Sequence, residues 1–169
     1  PADTLVVPGG EGARETAVTA ALRARLLAQR QQGRRLASVC TGALVLAAAG
    51  LLDGLRATTH WRHAAALARN HPTVRVEPDR IHMRDGDTWT SAGITAGIDL
   101  ALHMVSRHCG PRVASEVARD MVVYQRRAGT DSALSPWLEH RNHMHPGVHR
   151  VQDAVVRNPA APWSAQSLA

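Results

Sequence analysis

The sequence has no lysine, no phenylalanine and a single tyrosine, and only two cysteines. Aromatic residues make up 3% of the 169. A core therefore has to be built from Ala, Leu and Val, which suits close helix-on-sheet packing. Cys40 and Cys109 are too few for a disulfide framework, which points to a reducing, cytoplasmic setting. No apolar run reaches the length of a membrane span, and there is no signal peptide, so no membrane partner is expected. There is also no initiating Met. Pro1 opens directly onto the strand-like Thr4-Leu5-Val6-Val7, and the last residues stop inside a helix-like pattern. The chain reads as truncated at both ends.

All 20 basic side chains are arginine, against 14 acidic ones, for a net charge of +6. Arg and Ala richness together fit a GC-rich coding bias, so the basic balance permits nucleic-acid binding without demonstrating it. At 44% hydrophobic residues the chain has enough apolar surface for one globular core, and its length suits one domain plus a piece of a second.

Apolar runs of strand length alternate with helical periodicity. Strands are expected at 4–7, 36–39, 55–59, 74–77, 80–84 and 88–90, with Asp85-Gly86-Asp87 as a hairpin turn. Helices are expected at 15–32, 43–52, 62–70, 94–109 and 111–124. This alternation predicts an α/β fold, a mostly parallel sheet flanked by helices. After residue 124 the strands stop. Residues 125–136 are polar and turn-rich, and helical pieces without strands follow, so a boundary is expected near 125–140.

The segment Leu36-Ala37-Ser38-Val39-Cys40-Thr41-Gly42-Ala43 turns a strand sharply into a helix with a nucleophile-capable residue at the corner. That is the nucleophile-elbow arrangement with Cys in place of Ser. Helix N-terminal amides at such a corner stabilise a thiolate. Pro8-Gly9-Gly10, at the end of a neighbouring strand, has backbone N–H groups to offer an anion. A buried, inert cysteine beside a tight turn is the plain alternative. Asp99, on a largely apolar helix, is expected to cap or to pair with an arginine. Gly93 opens a loop-to-helix entry at a strand end, where ligands sit in such sheets. His140, His143, His145 and His149 fit no usual zinc spacing and read as a polar linker, so no metal is expected.

Val7-Pro8-Gly9-Gly10 and Val39-Cys40-Thr41-Gly42 resemble the ThiJ/PfpI superfamily, which has the class I glutamine-amidotransferase-like, flavodoxin-like fold. The likeness continues through Gly50-Leu51-Leu52-Asp53-Gly54-Leu55 to Thr59-His60-Trp61, and through Thr90-Ser91-Ala92-Gly93-Ile94 to Gly97-Ile98-Asp99. It is most similar to one branch, the sensor domain of AraC-type transcriptional regulators. Arg119-Asp120-Met121 to Arg126-Arg127 is similar to that domain's end. His143-Met144-His145-Pro146, Val151-Gln152-Asp153 and Ala165-Gln166-Ser167-Leu168-Ala169 are similar to the start of an AraC-type helix-turn-helix domain.

The resemblance implies an α/β domain over 1–124, a linker over 125–140, and an incomplete helix-turn-helix domain over 141–169. It implies a small-molecule effector held near Gly9, Gly10, Cys40, Thr41, His60 and Gly93. It further implies a homodimer and DNA bound through a missing C-terminal domain. No cofactor is expected. The alternative is a cysteine hydrolase or hydratase such as an amidase, isonitrile hydratase or glyoxalase-like enzyme, with Cys40 as nucleophile and His60 as its partner. PfpI-type proteases carry His directly after the cysteine, where this chain has Thr41.

Overall fold

A computed structural model describes residues 3–15, 18–123, 126–135, 138–139 and 144–168. By contact density the chain divides into two compact units, Pro1–Ala133 and Leu134–Ala169.

In the first unit, Leu5, Val7 and Leu36 meet an apolar layer from the helices, and that layer draws two strands together. Strand β1 (Thr4–Val7) pairs in parallel with β2 (Arg35–Val39), in register from Thr4 opposite Arg35 to Val7 opposite Ser38. On its other side β2 pairs in parallel with β6 (Thr88–Ser91), and β6 pairs antiparallel with β5 (His82–Asp85). The sheet order is β1-β2-β6-β5, and a separate two-stranded parallel ladder joins β3 (Arg56–Ala57) to β4 (Arg75–Val76). The sheet is thus mostly parallel, as the alternation predicts. Its antiparallel member comes from the hairpin at Gly86, whose φ of +58° suits a residue without Cβ.

Helices α1 (Glu11–Glu15) and α2 (Ala20–Gln31) stand where one helix over 15–32 is expected. Thr19 sets the later start: its side chain accepts from the Leu22 N–H at 3.2 Å, an N-cap in extended backbone. Helix α3 (Gly42–Ala48) stops short of residue 52. Gly50, at φ +75°, closes a Schellman turn, in which Gly50 N–H donates to Ala47 and Leu51 N–H to Leu46. Then come α4 (Trp61–Asn70), α5 (Ile94–Cys109) and α6 (Pro111–Asp120). Helix α6 also ends earlier than expected. Its end is another Schellman turn, with Val122 N–H to Arg119 and Val123 N–H to Ala118. Here the left-handed position is occupied by Val122, at φ +53°, a strained place for a β-branched residue.

The main core lies between β1, β2 and helices α2 and α3, around Leu26, Leu36, Leu46, Leu52 and Leu67. On the opposite face Ala37 and Trp89 pack against Leu100 of α5. Helix α5 approaches the sheet closely because Gly97 has no side chain. A Cβ there would lie 2.8 Å from Val39 Cγ1.

The second unit contains α7 (Pro146–Arg157), with Pro146 in its first turn. Trp163 Nε1–H donates to the Asn158 carbonyl at 2.9 Å, folding the following turn back. Of the histidine cluster, His140 and His143 lie outside the described residues. No described helix is long and apolar enough to cross a membrane.

Candidate functional site

Strands β1, β2 and β6 all end on one edge of the sheet, so the segments that follow them converge there. These segments are Pro8-Gly9-Gly10, Cys40-Thr41 and Ala92-Gly93. Thr58-Thr59-His60, after β3, reaches the same place.

Cys40 stands at the corner between β2 and α3 with φ +56°. For a residue with a side chain that conformation persists only when neighbours hold it. Both of its backbone groups are held. Its N–H donates to the Ser91 carbonyl at 3.0 Å, and its carbonyl accepts from Thr59 Oγ1 at 2.8 Å. Beneath it, Ser91 Oγ donates to the Ser38 carbonyl. The elbow expected from the sequence is therefore present, and its strain is held by the ends of β6 and β3.

Thr41 is 3% exposed and locks the neighbouring loop. Its Oγ1 accepts from the Gly10 N–H at 2.9 Å and donates to the Gly10 carbonyl at 3.0 Å. Two glycines permit this approach. A Cβ on Gly9 would lie 2.8 Å from Cys40 Cβ, Thr41 N and Val39 O. A Cβ on Gly42 would collide with the Val7 carbonyl. Gly9, Gly10, Cys40 and Thr41 are thus brought into direct contact.

His60 caps α4, its Nδ1 accepting from the Arg62 N–H at 3.3 Å. Its ring stacks on Trp61, 5.8 Å between centroids. Burial pushes its pKa below the ordinary value, helped by neighbouring His63 and Arg62, so the imidazole is neutral at pH 7. Cys40 and His60 are not hydrogen-bonded to each other among the described residues. His60 is tied to the elbow through the chain, since the preceding Thr59 carries the hydrogen bond to Cys40. Gly93 caps α5 in extended backbone, and a Cβ there would meet nothing within 4 Å. It borders open space rather than a tight contact.

Asp99 pairs with an arginine, as its sequence setting suggests. Its side chain is 4% exposed, sits 2.7 Å from Arg127 Nη2, and also accepts from the Arg127 backbone N–H at 3.1 Å. Sequence reasoning missed what surrounds that pair. His82, Met83 and Arg84 of β5, with Arg80 just before the strand, line a cavity with Asp99 and His103. None of the elbow residues lines that cavity.

Chemically, the elbow offers a thiol at a helix start, a neutral imidazole nearby and a loop held against it. It can seat a small polar ligand or support a nucleophile. A profile of the DJ-1/PfpI family matches residues 1–107. The HTH-type transcriptional regulator GbdR of Pseudomonas aeruginosa is 39% identical over 124 residues, 73% of this chain and 33% of the regulator. The isonitrile hydratase of Pseudomonas putida is 44% identical over 117 residues, 68% of this chain and 49% of the hydratase. The crystal structure of an AraC family transcriptional regulator from Pseudomonas putida superposes with a TM-score of 0.59 at 29% identity, over 70% of this chain and 63% of the other. The chain spans about a third of the length of the regulator GbdR and about half that of the hydratase.

Proposed function

The chain belongs to the DJ-1/PfpI family, and from that premise we propose that it is the effector-sensing part of a bacterial AraC-type transcriptional regulator. The observation that carries this reading is the likeness to regulators in both sequence and structure, over about seven-tenths of the chain. The separate unit at 134–169, with a helix and no strand among its described residues, supports it. On this reading residues 1–124 form the sensor, 125–140 a linker, and 141–169 the beginning of a helix-turn-helix domain. The whole protein acts as a cytoplasmic homodimer.

The effector would sit at the strand ends, against Gly9, Gly10, Cys40, Thr41, His60 and Gly93. With Nδ1 accepting from Arg62, a neutral His60 has its Nε2–H to donate to a ligand acceptor. Gly93 leaves room for ligand bulk. Because the Cys40 backbone is tied to both β6 and β3, a ligand pressing on the elbow pulls on two strands at once. Such a shift would alter the dimer and with it the placing of the DNA-binding helices.

The test is a mobility-shift titration of the full-length protein with the DNA upstream of its own gene and of neighbouring genes. Metabolite mixtures are added to parallel samples. Binding that a metabolite strengthens or weakens, and that Cys40→Ser or Thr41→Val makes insensitive, supports the reading. Absence of any shift, with and without metabolites, overturns it.

A second reading is favoured by the higher identity of the isonitrile hydratase. Cys40 sulfur would then add to the isonitrile carbon, with His60 handling the thiol proton, which ends on that carbon to give a thioimidate; water would hydrolyse the thioimidate to the formamide and release the thiol. Turnover of an isonitrile by this chain, abolished in Cys40→Ser, would establish it.

A further inference from the structure

Away from the elbow, a cavity of about 710 Å³ opens at the β5 side of the sheet. Strands β5 and β6, helix α5 and the segment 126–130 form its walls. That volume lies within the range of about 300–1,000 Å³ usual for small-molecule sites.

Five guanidinium groups line it: Arg56, Arg80, Arg84, Arg126 and Arg127. Two carboxylates, Glu77 and Asp99, oppose them, leaving a surplus of three positive charges. The carboxylates are already engaged. Glu77 lies 3.6 Å from Arg56 and 3.1 Å from Arg80, and Asp99 lies 2.7 Å from Arg127. Arg126 has no partner among the described residues, and Arg84, beside its bond to the Gly86 carbonyl and an exposed contact to Asp87 at 4.0 Å, lies 5.1 Å over the Trp89 ring.

The wall also contains polar groups whose bonding the protein leaves unmet. His82 is 7% exposed and packs 5.0 Å from the ring of His103, and neither imidazole makes a hydrogen bond among the described residues. Trp89, 3% exposed, has a buried indole N–H without an acceptor there. Three rings and a surplus of guanidinium groups in one concave wall suit a compact charged molecule with some carbon surface. A nucleic-acid duplex would need the same arginines on a protruding element.

We propose that this cavity is a second ligand site, taking a small organic polyanion that carries carboxylate or phosphate groups. The unpaired Arg126 and the exposed, weakly paired Arg84 are the charges that meet it. The site stands apart from the elbow and does not depend on the regulator reading.

The test is isothermal titration of the 169-residue chain with citrate and, separately, with fructose 1,6-bisphosphate, which distinguishes carboxylate from phosphate recognition. Saturable binding of either is expected. Arg84→Gln and Arg126→Gln should each weaken it about tenfold, the loss of one charge-assisted contact. Both side chains are exposed, so folding is retained, as circular dichroism will confirm, and either variant alone is sufficient. Cys40→Ser should leave the affinity unchanged. No saturable binding at millimolar concentration overturns the proposal. So does affinity indifferent to both arginine substitutions, or a duplex DNA that binds where neither small anion does.

Discussion

A single hydroxyl of Thr41 makes both hydrogen bonds to Gly10, accepting from its N–H at 2.9 Å and donating to its carbonyl at 3.0 Å. Two loops that follow different strands are thereby joined at one buried side chain. Thr41→Val keeps the shape and removes both bonds. It should cost about 1–3 kcal/mol, the usual penalty of leaving part-buried backbone groups unpaired. Thr41→Ser should cost much less. Denaturant midpoints decide the matter: equal stability of the valine and serine variants would show that the latch contributes nothing.

The close packing of glycines around the elbow gives a second expectation. Gly42→Ala places a methyl group into the Val7 carbonyl, a rigid backbone atom that cannot step aside. Overpacking of this kind costs about 1–3 kcal/mol. Gly93→Ala, with open space around it, should be close to neutral. Thermal melts of the two variants should therefore differ by several degrees.

Val122 offers a substitution in the stabilising direction. It is 86% exposed, so its side chain contributes little by burial, and it sits at φ +53°. Val122→Gly removes the left-handed strain at the price of unfolded-state entropy. The balance should favour glycine by about 0.5–1 kcal/mol. A lower denaturation midpoint for the glycine variant would refute this.

The histidines predict how stability varies with pH. His82 is pushed below the ordinary histidine value by burial and then by His103, with Asp99 opposing. His103 is pushed the same way by burial and then by Arg107, Arg126 and Arg84. Their unfolded counterparts take up protons near pH 6.5, before the folded ones do. Below that pH the unfolded state binds more protons, so stability falls with acidification and is fully present above it. Urea midpoints measured from pH 8 to pH 5.5 should decline below about 6.5. His82→Gln with His103→Gln should flatten the decline.

The parts of this molecule legible in its sequence are the local ones. Cys40 and Thr41 announce themselves because a strand, a corner and a helix follow one another within a few residues. Asp99 among apolar neighbours required a partner, and Arg127 supplies it. The helix ends were misplaced where a cap overrode periodicity: Thr19 delays α2, and Gly50 and Val122 stop α3 and α6 through Schellman turns. The arginine-lined cavity was not legible. Its walls come from β3, β5, β6, α5 and the segment after α6, and only the folded chain assembles them.

Gly97 lies against Val39 with no room for even a methyl group between helix and strand. The two positions therefore form one unit of inheritance. In a library diversified at both and selected for folding, alanine at 97 should survive only alongside a smaller residue at 39. Their substitutions should appear in pairs, although 58 positions separate them along the chain.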